Sequence, residues 1–237
     1  MSRKPLDNPV WHALGGPQAA FAIRRPHARR YDLEIGPFFA IEAPSERAWR
    51  DCADIFGASR EAWFVRTDEV PTPPGWTRNF AKAIAQMVLP PDVDLKPAES
   101  SIVELGPIIE LGKGDLPAMR DLAARTRPGP FSTRTHELGT FLGIHEDGRL
   151  VAMAGERMRP PGWIEISDVA TEPEYRGSGY ARALIAAVAA RIRASGQMPF
   201  LHTYADNATA IGVYKKMGFA QRATLTLTGL TLAAPES

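Results

Sequence analysis

The sequence has little of several features that would identify a protein class at once. Cys52 is its only cysteine, which excludes an internal disulfide and a metal site built from several cysteines. No apolar run reaches the roughly 18–20 residues that span a bilayer, and no apolar segment follows the basic N-terminus, so we expect a cytoplasmic protein with no membrane partner. The 28 basic and 27 acidic residues leave a net charge of +1, which argues against a nucleic-acid partner.

The composition itself is that of an ordinary globular protein, with 44% hydrophobic and 23% charged residues in a chain of 237. That length allows one large domain or two small ones. Two proline-rich breaks, at residues 71–75 and 90–97, interrupt the first half, because X-Pro pairs favour extended or turn conformations. We predict a domain boundary in the second break, which gives an N-terminal domain over residues 1–100 and a second domain over residues 101–237.

The first of these parts mixes strands and helices. Residues 38–41 and 63–65 are apolar and aromatic and predict strands. Residues 45–56 predict a helix that begins after an N-cap at Ser45. Between the two proline breaks, residues 78–88 predict a short amphipathic helix. No glycine-rich loop or ligand cluster appears in this part, so packing or covering the second domain is its expected role.

The second part predicts a regular alternation of elements. Turn residues at positions 146–148 indicate a hairpin, and an apolar face at helical spacing marks the helix that starts at Tyr180. The predicted strands cover residues 102–111, 140–144, 150–156, 163–171, 200–204 and 224–232, and the predicted helices cover residues 115–124, 180–194 and 208–217. Hairpins followed by alternating strands and helices predict an α/β (α+β) fold, a mixed sheet covered by helices.

The segment from Val169 to Ala181 carries the most chemical information. It leaves a predicted strand, passes through Gly177 and Gly179, and enters an amphipathic helix. Glycines let the backbone approach a ligand, and the first turn of a helix presents unpaired N–H groups at the positive end of the helix dipole. This is an anion site suited to a diphosphate. The dinucleotide fingerprint does not fit because Arg182 stands where it needs Gly or Ala, and the P-loop consensus is absent.

Two motifs resemble those of one enzyme family. The spacing Arg176-x-x-Gly179-x-Ala181 resembles the [Q/R]-x-x-G-x-[G/A] signature of the GNAT superfamily of acyl-CoA-dependent N-acyltransferases. A second stretch, from Asn207 through Tyr214 to Gly218-Phe219, is similar to the family's N-x-x-A-x-x-x-Y-x-x-x-G-F motif and follows at the expected distance. The resemblance covers about residues 105–232, a complete GNAT fold. More narrowly, the chain is similar to the glycine N-acyltransferase-like branch, in which a degenerate GNAT-like half precedes the catalytic domain.

The resemblance implies direct transfer of an acetyl group, or a close acyl relative, from acetyl-CoA to a primary amine. Tyr214 is implied as the general acid that protonates the leaving thiolate; the alternative is a CoA contact without proton transfer. A backbone N–H near Val169 or Ala170 is implied as a donor to the developing oxyanion. The cofactor-binding residues implied are Val169, Ala170, Thr171, Arg176, Gly177, Ser178, Gly179, Tyr180, Ala181, Asn207 and Tyr214.

The attacking amine must lose a proton, and we predict Glu165 as the general base. It lies four residues before Val169 on the same predicted strand, and therefore on the same face. Its alternative role is that of a surface or ion-paired carboxylate. Asp168 is predicted to point to the opposite face, which makes it the less suitable base.

Four further residues are candidate acceptor contacts. His136 and His202 could each be a second base, an acceptor contact or a structural histidine. Phe131 and Arg134 lie in the loop before Thr140, where GNAT enzymes often build the acceptor pocket. The five histidines have no metal-binding spacing, so no metal is predicted.

Two other functions stay open at the level of sequence. A non-catalytic acyl-CoA sensor would keep the cofactor site but not depend on Glu165 or Tyr214 for turnover. A nucleotide-binding protein would use the same loop for ATP or NAD, although the missing fingerprint argues against it. The balanced charge favours a small-molecule amine or an amino acid as acceptor over a highly charged macromolecule. The sequence does not determine the oligomeric state.

Overall fold

The computed structural model describes residues 4–59, 61–93, 95 and 106–233. Its helices are α1 (Pro9–Leu14), α2 (Glu46–Asp54), α3 (Leu116–Thr126), α4 (Tyr180–Ala194) and α5 (Ala208–Lys216). Its strands are β1 (Ala22–Arg25), β2 (Ala28–Tyr31), β3 (Phe39–Ile41), β4 (Ala62–Arg66), β5 (Trp76–Val88), β6 (Ile109–Glu110), β7 (Phe141–Glu146), β8 (Arg149–Glu156), β9 (Trp163–Thr171), β10 (Met198–Tyr204) and β11 (Ala220–Leu232). Within these ranges, no helix is both long and apolar enough to cross a membrane.

The strands form two sheets. The smaller has the order β1-β2-β3, and the larger has the order β4-β11-β5-β10-β9-β8-β7-β6. Strands β9 and β10 pair in parallel, and every other neighbouring pair in the larger sheet is antiparallel. The predicted α/β fold with a mixed sheet is therefore confirmed.

Helices α3 and α4 cover opposite faces of the larger sheet. Met153 of β8 packs in one apolar cluster with α3, and its neighbours Ala152 and Ala154 pack in another with α4. Alternation of side chains along a strand produces this division. Helix α4 has the predicted bounds and begins after Gly179, whose left-handed backbone (φ 94°) favours glycine. At α2, the predicted N-cap is confirmed, since Ser45 Oγ accepts a hydrogen bond from the Ala48 N–H.

Two predicted elements differ in the structure. The helix predicted over residues 78–88 is wrong: this segment belongs to β5, which pairs with β10 on one side and β11 on the other. Residues 84–88 are all buried, because both faces of this central strand are covered, and such a short apolar run fits a helix and a strand equally. Residues 102–105 of the strand predicted over residues 102–111 lie outside the described residues, and within residues 106–111 the strand is β6.

The predicted boundary near residue 100 also lies outside the described residues. Segments on its two sides share the larger sheet, since β4 and β5 pair with β10 and β11. They also share an apolar cluster in which Val10 and Ile84 pack with Trp163 and Phe200. The division into residues 1–100 and 101–237 stays a prediction.

Candidate active site

The two parallel strands of the larger sheet separate at their C-terminal ends. Pairing between β9 and β10 runs from Trp163–Met198 to Glu165–Phe200 and stops there. Among the described residues 166–171 and 201–204, no further pairing joins the two strands. The separation leaves an opening beside the free edge of β9, where backbone N–H and C=O groups are available to an extended ligand.

The glycine loop follows directly after β9. Its first residue, Glu172, is buried and accepts hydrogen bonds from Arg125 Nε (2.8 Å) and Arg149 Nη2 (2.6 Å), which anchor the start of the loop. Gly177 has a left-handed backbone (φ 84°), and a Cβ at this position would meet no atom within 4 Å. Helix α4 has no side-chain hydrogen bond at its N-cap. The first-turn N–H groups of this 15-residue helix can therefore receive an anion.

Helix α5 borders the same opening. Asn207 is its N-cap, and its Oδ1 accepts a hydrogen bond from the Ala210 N–H at 3.0 Å. Tyr214 lies two turns further along and packs against Phe219 and the cluster under α4. Burial raises the pKa of the Tyr214 phenol, so this side chain keeps its proton at neutral pH.

A cavity of about 390 Å³ lies where these elements meet. It is lined by the separated ends of β9 and β10, by α5, by the loop after α3 and by the N-terminal part. The full set of lining residues is Phe38, Trp63, Val65, Ile84, Thr126, Arg127, Pro128, Gly129, Pro130, Arg157, Met158, Ile166, Ser167, Asp168, Val169, His202, Thr203, Tyr204, Asn207, Ala210, Tyr214 and Leu227. The cavity thus collects Val169, Asn207, Tyr214 and His202, which were predicted from sequence. It also includes Asp168 and Arg157.

Glu165 lies behind this cavity in a buried ion pair. Its carboxylate accepts hydrogen bonds from Arg157 Nε and Nη2, both at 3.1 Å, and lies 2.8 Å from His202 Nδ1. Burial acts to raise its pKa, but the Arg157 charge and the His202 hydrogen bond hold the pKa of Glu165 at about 2. The Met158 N–H also donates to Glu165 Oε2, at 3.3 Å. A carboxylate with three partners and so low a pKa is a poor proton acceptor, and the geometry does not support Glu165 as the base.

His202 is fully engaged by its neighbours. Its Nε2 lies 3.0 Å from Gln86 Nε2, an amide nitrogen that can only donate. The imidazole therefore accepts at Nε2 and donates from Nδ1 to Glu165. Gln86 is oriented in turn by Arg222 Nε, which donates to Gln86 Oε1 at 2.6 Å. His202 positions Glu165 and has no free nitrogen for a substrate proton.

Asp168 occupies a β-bulge in β9. The register of β8 and β9 shifts between Met153 and Gly155, and Asp168 has a left-handed backbone with φ 52°. A bulge interrupts the alternation of faces and re-aims the side chain. The prediction that Asp168 points away from the site is therefore wrong, because it assumed an unbroken strand.

The Asp168 carboxylate is buried and poorly satisfied. Its side chain is 2% exposed, and neither oxygen accepts a hydrogen bond of normal geometry from the described residues. Burial and the nearby negative charge of Glu165 raise the pKa of Asp168 to about 6, against the opposing effects of Arg157 and the Ser167 hydroxyl. A carboxyl group with this pKa can take up and release a proton near neutral pH.

Several other predicted residues lie elsewhere or contribute differently. Phe131 packs edge-to-face on Phe141, Arg134 pairs with Glu137 on the surface, and His136 borders a separate cavity beside Met119. Tyr180 donates through its hydroxyl to Glu146 Oε1 at 2.7 Å, so its backbone N–H, and not its side chain, is available to the anion site. Among the described residues, no group of three or more His, Cys, Asp or Glu residues could hold a metal ion.

The sequence analysis missed Arg157 and the apolar side of the cavity. Phe38 and Trp63 belong to the N-terminal part, more than a hundred residues from the glycine loop, and no local motif connects them to it. The only sequence feature that pointed to Asp168 was its position in the strand before the glycine loop. A β-bulge has no sequence consensus, so the direction of the Asp168 side chain could not be predicted.

The chain is similar to several known proteins. Residues 141–227 match the family model described as FR47-like protein. Mycothiol acetyltransferases from Saccharopolyspora erythraea and Nocardiopsis dassonvillei are 31% and 33% identical to the chain over 84 and 92 residues. Each alignment covers 35% of this chain and 28% of the relative, so less than a third of their length is matched.

Similarity to solved structures extends over nearly the whole chain. A Novosphingobium aromaticivorans protein assigned to the acetyltransferases of the GNAT family is 40% identical, with a TM-score of 0.87, and the alignment covers 97% of this chain and 99% of that one. A GCN5-related N-acetyltransferase from Kribbella flavida is 15% identical with a TM-score of 0.63, covers 96% and 95% of the two chains, and supports the fold alone.

Proposed function

The chain belongs to the GNAT family of N-acetyltransferases, and from this premise we propose that it transfers the acetyl group of acetyl-CoA directly to a primary amine of a small molecule or amino acid. The observation that carries the proposal is the cavity at the separation of β9 and β10, which Asp168 and Tyr214 both line. Asp168 is suited to receive a proton there, and Tyr214 is suited to donate one.

The residues of the chain fit acetyl-CoA, which supplies the acetyl group as a thioester. The N–H groups of residues 176–181 would hold its pyrophosphate at the uncapped N-terminus of α4. The free edge of β9 from Val169 to Thr171 would pair with the pantetheine arm, and Asn207 lies on the opposite side of the opening. A backbone N–H near Val169 would stabilise negative charge on the carbonyl oxygen, an effect of about 3–4 kcal/mol in acyl transfer.

In the proposed mechanism, Asp168 takes the proton from the acceptor amine. Its pKa of about 6 leaves the carboxylate ionised at pH 7 and above, and basic enough to assist. Tyr214 Oη donates a proton to the departing thiolate sulfur, since burial keeps the phenol protonated. Glu165 and His202 hold Arg157 and the end of β9 in place.

The finer predictions belong to the same proposal. The glycine N-acyltransferase-like branch, with residues 1–100 as a degenerate half, stays a prediction from the sequence. A small acceptor is supported by the cavity volume and by the names of the two mycothiol acetyltransferases. A cytoplasmic location stays a prediction from the sequence.

Replacement of Gly177 tests the anion site. We expect Gly177→Asp to bind acetyl-CoA about 10–100-fold more weakly than Gly177→Asn, because the two side chains are nearly isosteric and differ by one negative charge beside the pyrophosphate. Both residues tolerate a left-handed backbone, and the surrounding space is open, so the fold should be kept. Calorimetric titration at low and high salt measures the difference, which should shrink with salt. Equal affinities would place the pyrophosphate elsewhere.

Replacement of Tyr214 separates an enzyme from a sensor. We expect wild-type protein to bind acetyl-CoA, and not ATP or NAD, with micromolar affinity, and to release free thiol when amines are added. Tyr214→Phe should lower kcat about tenfold while the affinity for acetyl-CoA stays within a factor of three, because only the proton is lost. Binding of acetyl-CoA without release of thiol for any amine would favour the sensor. Binding of ATP or NAD with no binding of acetyl-CoA would overturn the function.

A further inference from the structure

Arg157 and Asp168, next to the cavity, carry opposite charges and do not hydrogen-bond to each other. Arg157 Nη1 is buried and has no hydrogen-bond partner among the described residues, although Nε and Nη2 of the same guanidinium are bound to Glu165. Both carboxylate oxygens of Asp168 are also buried without a partner of normal geometry. A buried polar group left without a partner is costly, so each of these groups has a strong preference for a ligand that supplies one.

The two groups lie close together. A Cβ atom placed on Gly129 would lie 3.4 Å from Arg157 Nη1 and 3.6 Å from Asp168 Oδ1, so these two atoms lie within about 7 Å of each other. They do not form an ion pair. A small group that carries both a cation and an anion can span a spacing of this size. Gly129 lines the same cavity, so both groups lie beside it.

Part of the cavity lining is apolar. Phe38, Trp63, Val65, Ile84 and Leu227 line it, and Phe38 and Trp63 meet edge-to-face at 6.1 Å. All except Leu227 come from the N-terminal part. Such a wall favours an apolar or aromatic side chain over a polar one, at roughly 25 cal/mol for each Å² removed from water.

The charges around the cavity also favour a zwitterion. Arg127 and Arg157 both line it, Asp168 is the carboxyl group that faces it, and Glu165 is already occupied by Arg157 and His202. A plain amine would satisfy Asp168 but leave Arg157 Nη1 buried and unpaired. A ligand with an ammonium and a carboxylate satisfies both, and a guanidinium is well suited to a carboxylate.

We propose that the acceptor is an α-amino acid with an apolar or aromatic side chain, which is N-acetylated at its α-amine. Its ammonium group pairs with Asp168, its carboxylate with Arg157 Nη1, and its side chain lies against Phe38 and Trp63. In the reaction the ammonium nitrogen loses one proton to Asp168 and forms the new amide bond to the acetyl carbon. The carbon–sulfur bond breaks, the thiolate takes the Tyr214 proton to leave as the thiol, and the second nitrogen proton restores the Tyr214 phenol. This inference rests on the proposed function and narrows its substrate.

The test compares matched acceptors at saturating acetyl-CoA. L-phenylalanine and phenethylamine differ by the carboxylate, and L-phenylalanine and glycine differ by the apolar side chain. We expect kcat/KM for L-phenylalanine to exceed that for phenethylamine and for glycine by about tenfold or more each, measured at two pH values so that the amine pKa values can be taken into account. Similar values for L-phenylalanine and phenethylamine would overturn the role of the carboxylate.

Two variants assign the preferences to residues. Arg157→Lys keeps the positive charge but removes the planar, two-pronged guanidinium. We expect it to reduce the ratio of kcat/KM for L-phenylalanine to that for phenethylamine about tenfold, with unchanged affinity for acetyl-CoA. Trp63→Leu should reduce only the ratio of L-phenylalanine to glycine. Because each ratio is compared with the same ratio for the wild-type protein at one pH, differences in amine pKa cancel. An unchanged ratio in Arg157→Lys contradicts the assignment, and if this variant does not fold, the comparison of acceptors with the wild-type protein decides.

Failure of this inference differs from failure of the proposed function. If acetyl-CoA binds and simple amines are acetylated as well as amino acids, the enzyme stands and the amino-acid acceptor is wrong. If acetyl-CoA binds and none of the three acceptors is acetylated, the amino-acid acceptor is again wrong. If acetyl-CoA does not bind, the proposed function itself fails.

Discussion

Replacing Asp168 by asparagine is expected to lower kcat about 10²–10⁴-fold, the usual contribution of a general base. The wild-type kcat/KM should rise with pH through about 6, the pKa of this carboxyl, and the variant should lack that limb. Asparagine is isosteric and tolerates the left-handed backbone at this bulge, so the loss is not a loss of fold. Pre-steady-state and steady-state release of thiol between pH 5 and 9 measures both effects.

Asp147→Asn is the matched control for this variant. Asp147 also has a left-handed backbone (φ 50°), but it is exposed in the turn between β7 and β8 and does not line the cavity. Its replacement should leave kcat within a factor of two. If Asp168→Asn kept more than about a third of the wild-type activity, the base would have to be another group.

The same substitution should make the protein more stable at neutral pH. The pKa of Asp168 is about 6 when folded and near 3.8 when unfolded, so its stabilising contribution is complete below 3.8 and is lost as the pH rises through 6. A shift of this size corresponds to at most about 3 kcal/mol. Urea unfolding of Asp168→Asn should therefore show a gain over wild type at pH 8 that disappears at pH 4. A loss of stability at pH 8 would contradict the raised pKa.

Replacing Glu165 by glutamine is expected to have the opposite effect on stability. It leaves the Arg157 guanidinium buried without its carboxylate, and removal of one partner of a buried ion pair costs about 3–5 kcal/mol. The pKa of Glu165 is about 2 when folded and near 4.5 when unfolded, so its contribution is present above 4.5 and is lost as the pH falls through 2. The free energy of unfolding, measured in urea at pH 7 and pH 4, should show the larger loss at pH 7.

Glu174→Gln is the matched control for the ion pair. Glu174 pairs with Arg149 on the surface, where both side chains are about half exposed, so its replacement should change the free energy of unfolding by less than about 1 kcal/mol. Unfolding free energies for Glu165→Gln and Glu174→Gln that agree within error would mean that Glu165 is not held as described. The pair of variants at Asp168 and Glu165 thus distinguishes the proton acceptor from the structural carboxylate by the sign of the stability change.

The sequence by itself determined the local elements on which the proposed cofactor site rests. The glycine loop and the helix from Tyr180 to Ala194 depend on neighbours within about ten residues, because glycine conformation and helical periodicity are local properties. The motif around Asn207 and Tyr214 is local in the same sense. These segments could be placed, and the family recognised, without knowledge of the tertiary structure.

The tertiary structure alone decided the acceptor side and the choice of carboxylate. Residues 78–88 became a strand because β10 and β11 bind both of its edges, which its own apolar pattern does not encode. Alternation of side chains along an unbroken strand selected Glu165 as the residue facing the site. The bulge at Asp168 changes the face to which β9 residues point, and the structure brings Asp168 to the cavity instead. Phe38 and Trp63 reach the cavity only because the N-terminal part packs on the same sheet. Contacts between residues far apart in the chain depend on the packed arrangement as a whole, and burial in that arrangement sets the pKa values that distinguish the two carboxylates.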